Sequence, residues 1–160
     1  MKKDKLTNHR PPQSIQRWIY RRCSNFSRSI LYSYNEDGIY ILQNSSITLS
    51  DNELPLYECF GKDNESSSTY LLITTLQIIS IIGLNRMESD IEDLNFDMKI
   101  EEIIESRNNR TRYQENIKYE IKTTNGFIPL WVEVGINEHI LWGVLTQISF
   151  LLNKHLKNDR

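Results

Sequence analysis

Between Tyr70 and Ser80 the chain reads YLLITTLQIIS, its most apolar stretch, and it continues as IIGLN. One buried helix, one long strand and two strands folded against each other would each commit the chain to a different architecture. Eight β-branched residues fall between Thr69 and Ile82, and in a helix each would crowd its χ1 rotamers against the preceding turn. Neither end offers a capping box. Thr74 and Thr75 are compact and polar, and they sit where two apolar runs of strand length meet. The pattern therefore predicts strand, tight reversal, strand, although the Gly or Asn of a standard hairpin turn is missing.

Other segments extend the same theme. Ile117, Tyr119, Ile121 and Thr123 alternate with Lys118, Glu120 and Lys122; Asn125 and Gly126 follow; then Ile128, Leu130, Val132 and Val134 alternate with Pro129, Trp131 and Glu133. Asn-Gly accepts the positive φ angles of a type I′ turn, so a hairpin is expected here, with Pro129 placing its second strand at an edge or its nitrogen outward. ELPLYECFGKD predicts another strand near an edge, because Pro55 cannot donate to a ladder. Leu94, Phe96, Met98 and Ile100 alternate with polar residues, the period of a half-exposed strand. RNNRTRYQEN reads as a surface loop or a loosely paired strand end.

Two helices are expected. Leu141, Val144 or Leu145, Ile148, Leu151 or Leu152 and Leu156 form one stripe over residues 137–156, with Asn137 as N-cap and Glu138 in the first turn. Near the other end, Ile15, Trp18, Ile19 and Cys23 recur at spacings of three and four behind Ser14, a candidate cap, while Arg17, Arg21 and Arg22 fall elsewhere on the helix. Signals conflict between Ser29 and Leu49. SILYSY and GIYILQ are strand-like, yet the first also continues a helix, and residues 26–50 stay open between the two.

A chain of 160 residues suits one domain that buries about 70% of its unfolded surface. Residues 1–12 read as a flexible basic lead, 13–52 as an extension packing on the main body, and 53–157 as that body. Cys23 and Cys59 belong to no CxxC or Cys/His cluster, which favours two buried thiols in a reducing compartment over a disulfide. MKKDKLTNHRPP lacks the apolar core of a signal peptide, and Ile140 to Leu152 is too short and too interrupted to span a bilayer. A cytoplasmic protein is expected. The net charge of −2 hides an asymmetry: residues 1–30 carry eight Lys or Arg against one acid, and the remainder carries eleven basic and twenty acidic residues. Such a basic segment meets an anionic partner or membrane, or lies back on its own acidic body.

Catalytic chemistry finds little footing. His9, His139 and His155 are scattered, and Cys59 has no base beside it in sequence. The acids Glu88, Asp90, Glu92, Asp93 and Asp97 lack EF-hand spacing and its glycine, which leaves a solvated face. No GxGxxG or P-loop string exists. No catalytic residue, metal ligand or cofactor is therefore assigned, and the chain is expected not to be an enzyme. Two basic and aromatic clusters stand out: Arg107, Arg110, Arg112 and Tyr113, and Arg17, Trp18, Tyr20, Arg21 and Arg22. Nucleic acid is disfavoured by an acidic body of pI about 5.9. The plain reading of the second cluster is a helix that packs through Trp18 and Ile19 and is solubilised by its arginines. The functional one is a partner or membrane contact formed by Arg17, Trp18, Arg21 and Arg22. Trp131 falls on the outward phase of its strand, either as an exposed anchor or, the favoured reading, covered by the N-terminal extension.

This succession of antiparallel strands closing on one amphipathic helix resembles the pleckstrin-homology-like domains, in particular small bacterial PH-like and GRAM-like ones. YLLITTLQIIS is similar to the family's β2–β3 hairpin, MESDIEDLNF to its entry into the next strand, and IKTTNG with ILWGVL to the closing hairpin and helix. The likeness covers residues 53–157. It implies a mainly β, α+β fold: a bent antiparallel barrel of about seven strands capped by the C-terminal helix, here with an N-terminal helical extension. It also implies a noncatalytic binding or scaffolding module for a protein or peptide partner; the rival reading, which comes from the basic N-terminal helix, is peripheral association with an anionic membrane surface. Members that grip phosphoinositides place several bases on the first two strands and their loop. Here that loop reads Lys62, Asp63, Asn64, Glu65, so the usual phosphoinositide site is not expected.

Overall fold

The computed structural model describes residues 10–23, 31–63, 65–95, 116–133 and 135–158. Helix α1 spans Pro12–Cys23. Seven strands follow: β1 Pro55–Lys62, β2 Ser68–Thr74, β3 Gln77–Ile82, β4 Asn85–Asp90, β5 Leu94–Asn95, β6 Asn116–Thr123 and β7 Gly126–Glu133, with a 3₁₀ turn at Ile91–Asp93 and helix α2 at Ile136–Asn158 closing the order. The strands form two sheets, β1-β2-β3-β4 and β5-β6-β7, and every pairing is antiparallel. The fold is α+β, rich in strands, with a C-terminal helix. Among the described residues the two sheets do not close into a barrel.

The opening stretch is two strands. β2 and β3 pair from Ile73 with Ile78 to Thr69 with Ile82, and Thr75 and Leu76 make the reversal. Threonine chemistry takes the place of Asn-Gly. Thr74 Oγ1 accepts from the N–H groups of Leu76 (3.1 Å) and Gln77 (3.0 Å) and donates to Glu53 Oε1 at 2.6 Å, while Thr75 N–H donates to Leu54 O at 2.9 Å. A hydroxyl that caps nearby N–H groups holds a turn without positive φ. The Asn125-Gly126 hairpin forms, but its turn lies one residue earlier than expected. Thr123 pairs with Gly126, so Thr124 and Asn125 are the loop. Thr123 Oγ1 accepts from Asn125 N–H at 3.2 Å, and the positive φ of 138° falls on Gly126. Thus both hairpins close on the hydroxyl that ends their first strand.

Several expectations are corrected. Strand β4 pairs with β3 through Ile82 and Asn85, turning at Gly83, whose φ of 59° suits glycine; the acids Glu88 and Asp90 lie on this strand, largely exposed. Helix α1 begins at Pro12 rather than behind Ser14, since the Ser14 and Ile15 N–H groups bond Pro11 O, and proline suits a first helical position. Helix α2 begins at Ile136, and Gly135 O receives the His139 N–H, so Asn137 is inside the helix and not its N-cap. SILYSY and GIYILQ form no strand among the described residues; Leu31 makes one isolated bridge to Tyr57. Leu31, Tyr32 and Leu42 of these runs pack on the body, while Ile39 and Ile41 are exposed. The basic lead at 1–9, the alternation beyond Asn95, the loop arginines Arg107, Arg110 and Arg112, and the side chain of Leu156 lie outside the described residues.

Pro55 and Pro129 do occur on edge strands, β1 and β7. The carbonyl of Pro129 accepts the Ser80 hydroxyl at 2.5 Å, tying β7 to the inner face of β3, and β7 lies against all four strands of the first sheet. The main core fills the space enclosed by α1, both sheets and α2, with Ile15, Ile19, Leu71, Ile73, Ile78, Tyr119, Val132, Leu141, Val144 and Ile148 among its members. A second, smaller cluster covers the opposite face of the first sheet. There Leu42 and Ile47, from the strap of residues 31–54, pack on Tyr70, Leu72 and Ile79. Consequently the first sheet is covered on both faces over β1, β2 and β3, while β4 is largely exposed.

Candidate partner-binding face

Helix α1 owes its orientation to burial. Ile15, Ile19 and Cys23 are buried in the main core, together with Gln16. Gln16 Nε2 donates to Pro55 O at 2.9 Å, and its Oε1 accepts the Tyr40 hydroxyl at 2.9 Å, so one buried amide links the helix, β1 and the strap. A close crossing with α2 completes the seat: a Cβ on Gly143 would lie 3.1 Å from Cys23 Sγ. With that face committed, Arg17, Arg21 and Arg22 are left exposed and Trp18 half-buried.

Trp18 is held from three sides. Its indole N–H donates to Gln147 Oε1 at 3.0 Å. Its ring lies parallel to Phe150, 6.5 Å between centroids and 3° between planes. The Arg22 guanidinium sits 4.0 Å above the indole and that of Arg10 at 5.5 Å. From the residue before Trp18, the Arg17 guanidinium sits 4.0 Å over the ring of Tyr34. A guanidinium stacked on a ring keeps its in-plane N–H fork free for an anion. Phe150 remains half exposed.

No carboxylate pairs with these four arginines among the described residues, whose ion pairs are Arg86–Glu88 and Lys118–Glu120. Among the described residues, no acid of the body neutralises the basic helix. Sequence reasoning brought together Arg17, Trp18, Arg21 and Arg22. It missed Arg10, Tyr34, Gln147 and Phe150, because only the crossing of α1 with α2 and the path of the strap bring them near; the Trp18–Arg22 pair, four residues apart on one helix, was the legible signal. Trp131 belongs elsewhere. It is buried in β7, although its neighbours in phase, Phe127 and Glu133, are exposed, and so it offers no exposed anchor.

The buried acids serve the fold. Glu58 accepts from Tyr32 and Tyr70 hydroxyls, both at 2.5 Å, and from the N–H groups of Gln43 (3.0 Å) and Asn44 (3.2 Å). Glu53 accepts from Thr74, Gln77 and Ser50 N–H, and Glu138 from Tyr119. Burial and the Glu58 carboxylate hold the Tyr32 and Tyr70 hydroxyls far above their ordinary range, so both stay protonated donors. Burial also pushes the thiols of Cys23 and Cys59 up to about 11; both cysteines are unpaired, and neither is activated as a nucleophile. Among the described residues no group of three His, Cys, Asp or Glu could hold a metal ion, and no helix is long and apolar enough to cross a membrane. Compared with known proteins, the chain matches no protein-family model, no curated protein and no solved structure.

Proposed function

We propose that this chain is a noncatalytic binding module of PH-like fold that docks a protein or peptide partner on the face shared by α1 and α2. A four-stranded sheet, then a three-stranded sheet, then a closing helix supports the PH-like reading. The observation that carries the binding reading is the Trp18–Phe150 pair, a half-exposed aromatic couple fixed by Gln147 and ringed by guanidiniums. Aromatic and arginine anchors held in place before binding are what interface hot spots use. The noncatalytic reading is supported by buried carboxylates already occupied by internal donors.

A benzophenone attached at Thr146→Cys, exposed one helical turn before Phe150 on α2, tests the face directly and leaves the aromatic pair intact, since the native thiols are buried. Photolysis in extract of the source cells is expected to give one discrete adduct, suppressed by Trp18→Ala, and none from the same label at Leu84→Cys on the far exposed turn. Equal labelling at both positions, or none at 146, contradicts the proposal. Membrane association is the second reading, supported by the unpaired arginines. It is weakened because the apolar stripe of α1 is buried in the core and cannot insert. Sedimentation with anionic vesicles at two salt concentrations decides it: salt-sensitive binding that is lost on Arg17→Glu, Arg21→Glu and Arg22→Glu supports a membrane, and no binding removes it.

A further inference from the structure

We infer that the partner segment received at the α1–α2 face is an acidic peptide in extended form, an inference that rests on the binding reading above. The first argument is charge. Arg10, Arg17, Arg21 and Arg22 have no carboxylate partner among the described residues, although the chain carries 21 acids. The complement of such a face is anionic. The second argument is geometry. Arg17 and Arg22 lie over the rings of Tyr34 and Trp18 at 4.0 Å, which restrains each guanidinium while its N–H fork still matches a carboxylate. Arg17 and Arg21 stand one helical turn apart, about 6 Å between their Cβ atoms. In an extended chain, residues two apart are separated by about 6.6 Å and share a face. Acidic residues at alternate positions therefore align with this row.

The competing anions fit less well. A single-stranded nucleic acid needs a free aromatic face on which to stack, and Trp18 is already stacked with guanidiniums and with Phe150. A bilayer needs apolar depth, and the face offers only half-exposed Phe150 beside Trp18. Phe150 instead suits an apolar residue next to a peptide's acids.

The test is fluorescence anisotropy of the full chain with a short fluorescein-labelled peptide that alternates glutamate and serine, beside its glutamine counterpart. The glutamate peptide should bind and weaken as salt rises, and the glutamine peptide should not. Arg17→Gln, Arg21→Gln and Arg22→Gln together should weaken binding by about tenfold or more. Lysine at the same three positions should recover only part of it, and Arg86→Gln, a paired arginine on β4, should change nothing. Equal binding of the two peptides, an unaffected triple variant, or tighter binding to oligothymidylate or phosphatidylserine vesicles overturns the inference. If the adduct at position 146 forms while the glutamate peptide fails to bind, the acidic class is wrong and the docking face stands. Failure of both removes the two together.

Discussion

Over β1, β2 and β3 the two faces of the first sheet are both covered, but by different physics. The inner face meets α1, α2 and β7 through aliphatic side chains, with Leu71, Ile73 and Ile78 at 1% exposure or less. The outer face meets the strap through a few apolar residues set beside a carboxylate, Glu58, that collects four donors. Apolar burial is non-directional and tolerates sliding. A carboxylate with four donors fixes a single position and leaves several groups unsatisfied if it is lost. Hence the inner face should set whether the chain folds, and the outer face where the strap lies.

The strongest way to break this contrast is at the inner face. Leu141 is fully buried on α2, and Leu141→Ala should cost about 3 to 4 kcal/mol, lowering every spectroscopic probe in a single denaturant transition. A loss confined to the near-ultraviolet signal of α2 would mean that the helix is an appendage rather than part of the core.

Glu58→Gln comes next. The substitution keeps the shape but replaces one acceptor with a donor, facing donors already there, and should cost about 2 kcal/mol. Urea melting would measure it, and a change below about 0.5 kcal/mol would reduce the network to a surface decoration.

Alkaline pH should sharpen the comparison at the two thiols. Each has its folded pKa raised from 9.0 to about 11. Above pH 9 the unfolded chain has released protons that the fold retains, so the unfolded state binds fewer and stability falls as pH rises to about 11. The expected loss is about 2 kcal/mol per thiol, full stability being present below pH 9. A flat profile across that window would place the thiols in water. In keeping with their burial, neither should react with Ellman's reagent until the chain unfolds.

The smallest effect is expected at the hairpin turns. Thr123→Val removes the hydroxyl that accepts from Asn125 and donates to Gly126 O, at a cost of about 1 kcal/mol. Thr74→Val, where the hydroxyl also binds Glu53, should cost more. Equal costs would detach the strap's anchor from the β2–β3 turn.

What was legible in the sequence follows the same division. Period-two and period-3.6 patterns located β1, β6, β7 and both expected helices, and β-branched content located β2 and β3; β4, whose residues Asn85–Asp90 are mostly polar and exposed, gave no such signal. The exposed row Arg17, Arg21, Arg22 could also be read, being set by one helix. The strap could not. SILYSY and GIYILQ carry strand-like residues, but Tyr32, Tyr40 and Leu42 are used to reach Glu58, Gln16 and the outer cluster, and Ile39 and Ile41 are left exposed. Long-range polar contacts overrode local propensity there. The half of the binding face supplied by Gln147, Phe150 and Tyr34 was hidden for the same reason, since it depends on which elements cross.

Hydrogen exchange of the Glu58→Gln chain beside the unsubstituted one tests the division most directly. Protection should fall over residues 31–54 and stay unchanged in β6, β7 and α2. A uniform loss across both sheets and the helices would contradict the separation of the two faces, and with it the view that the strap is a locally anchored cover on an independently stable core.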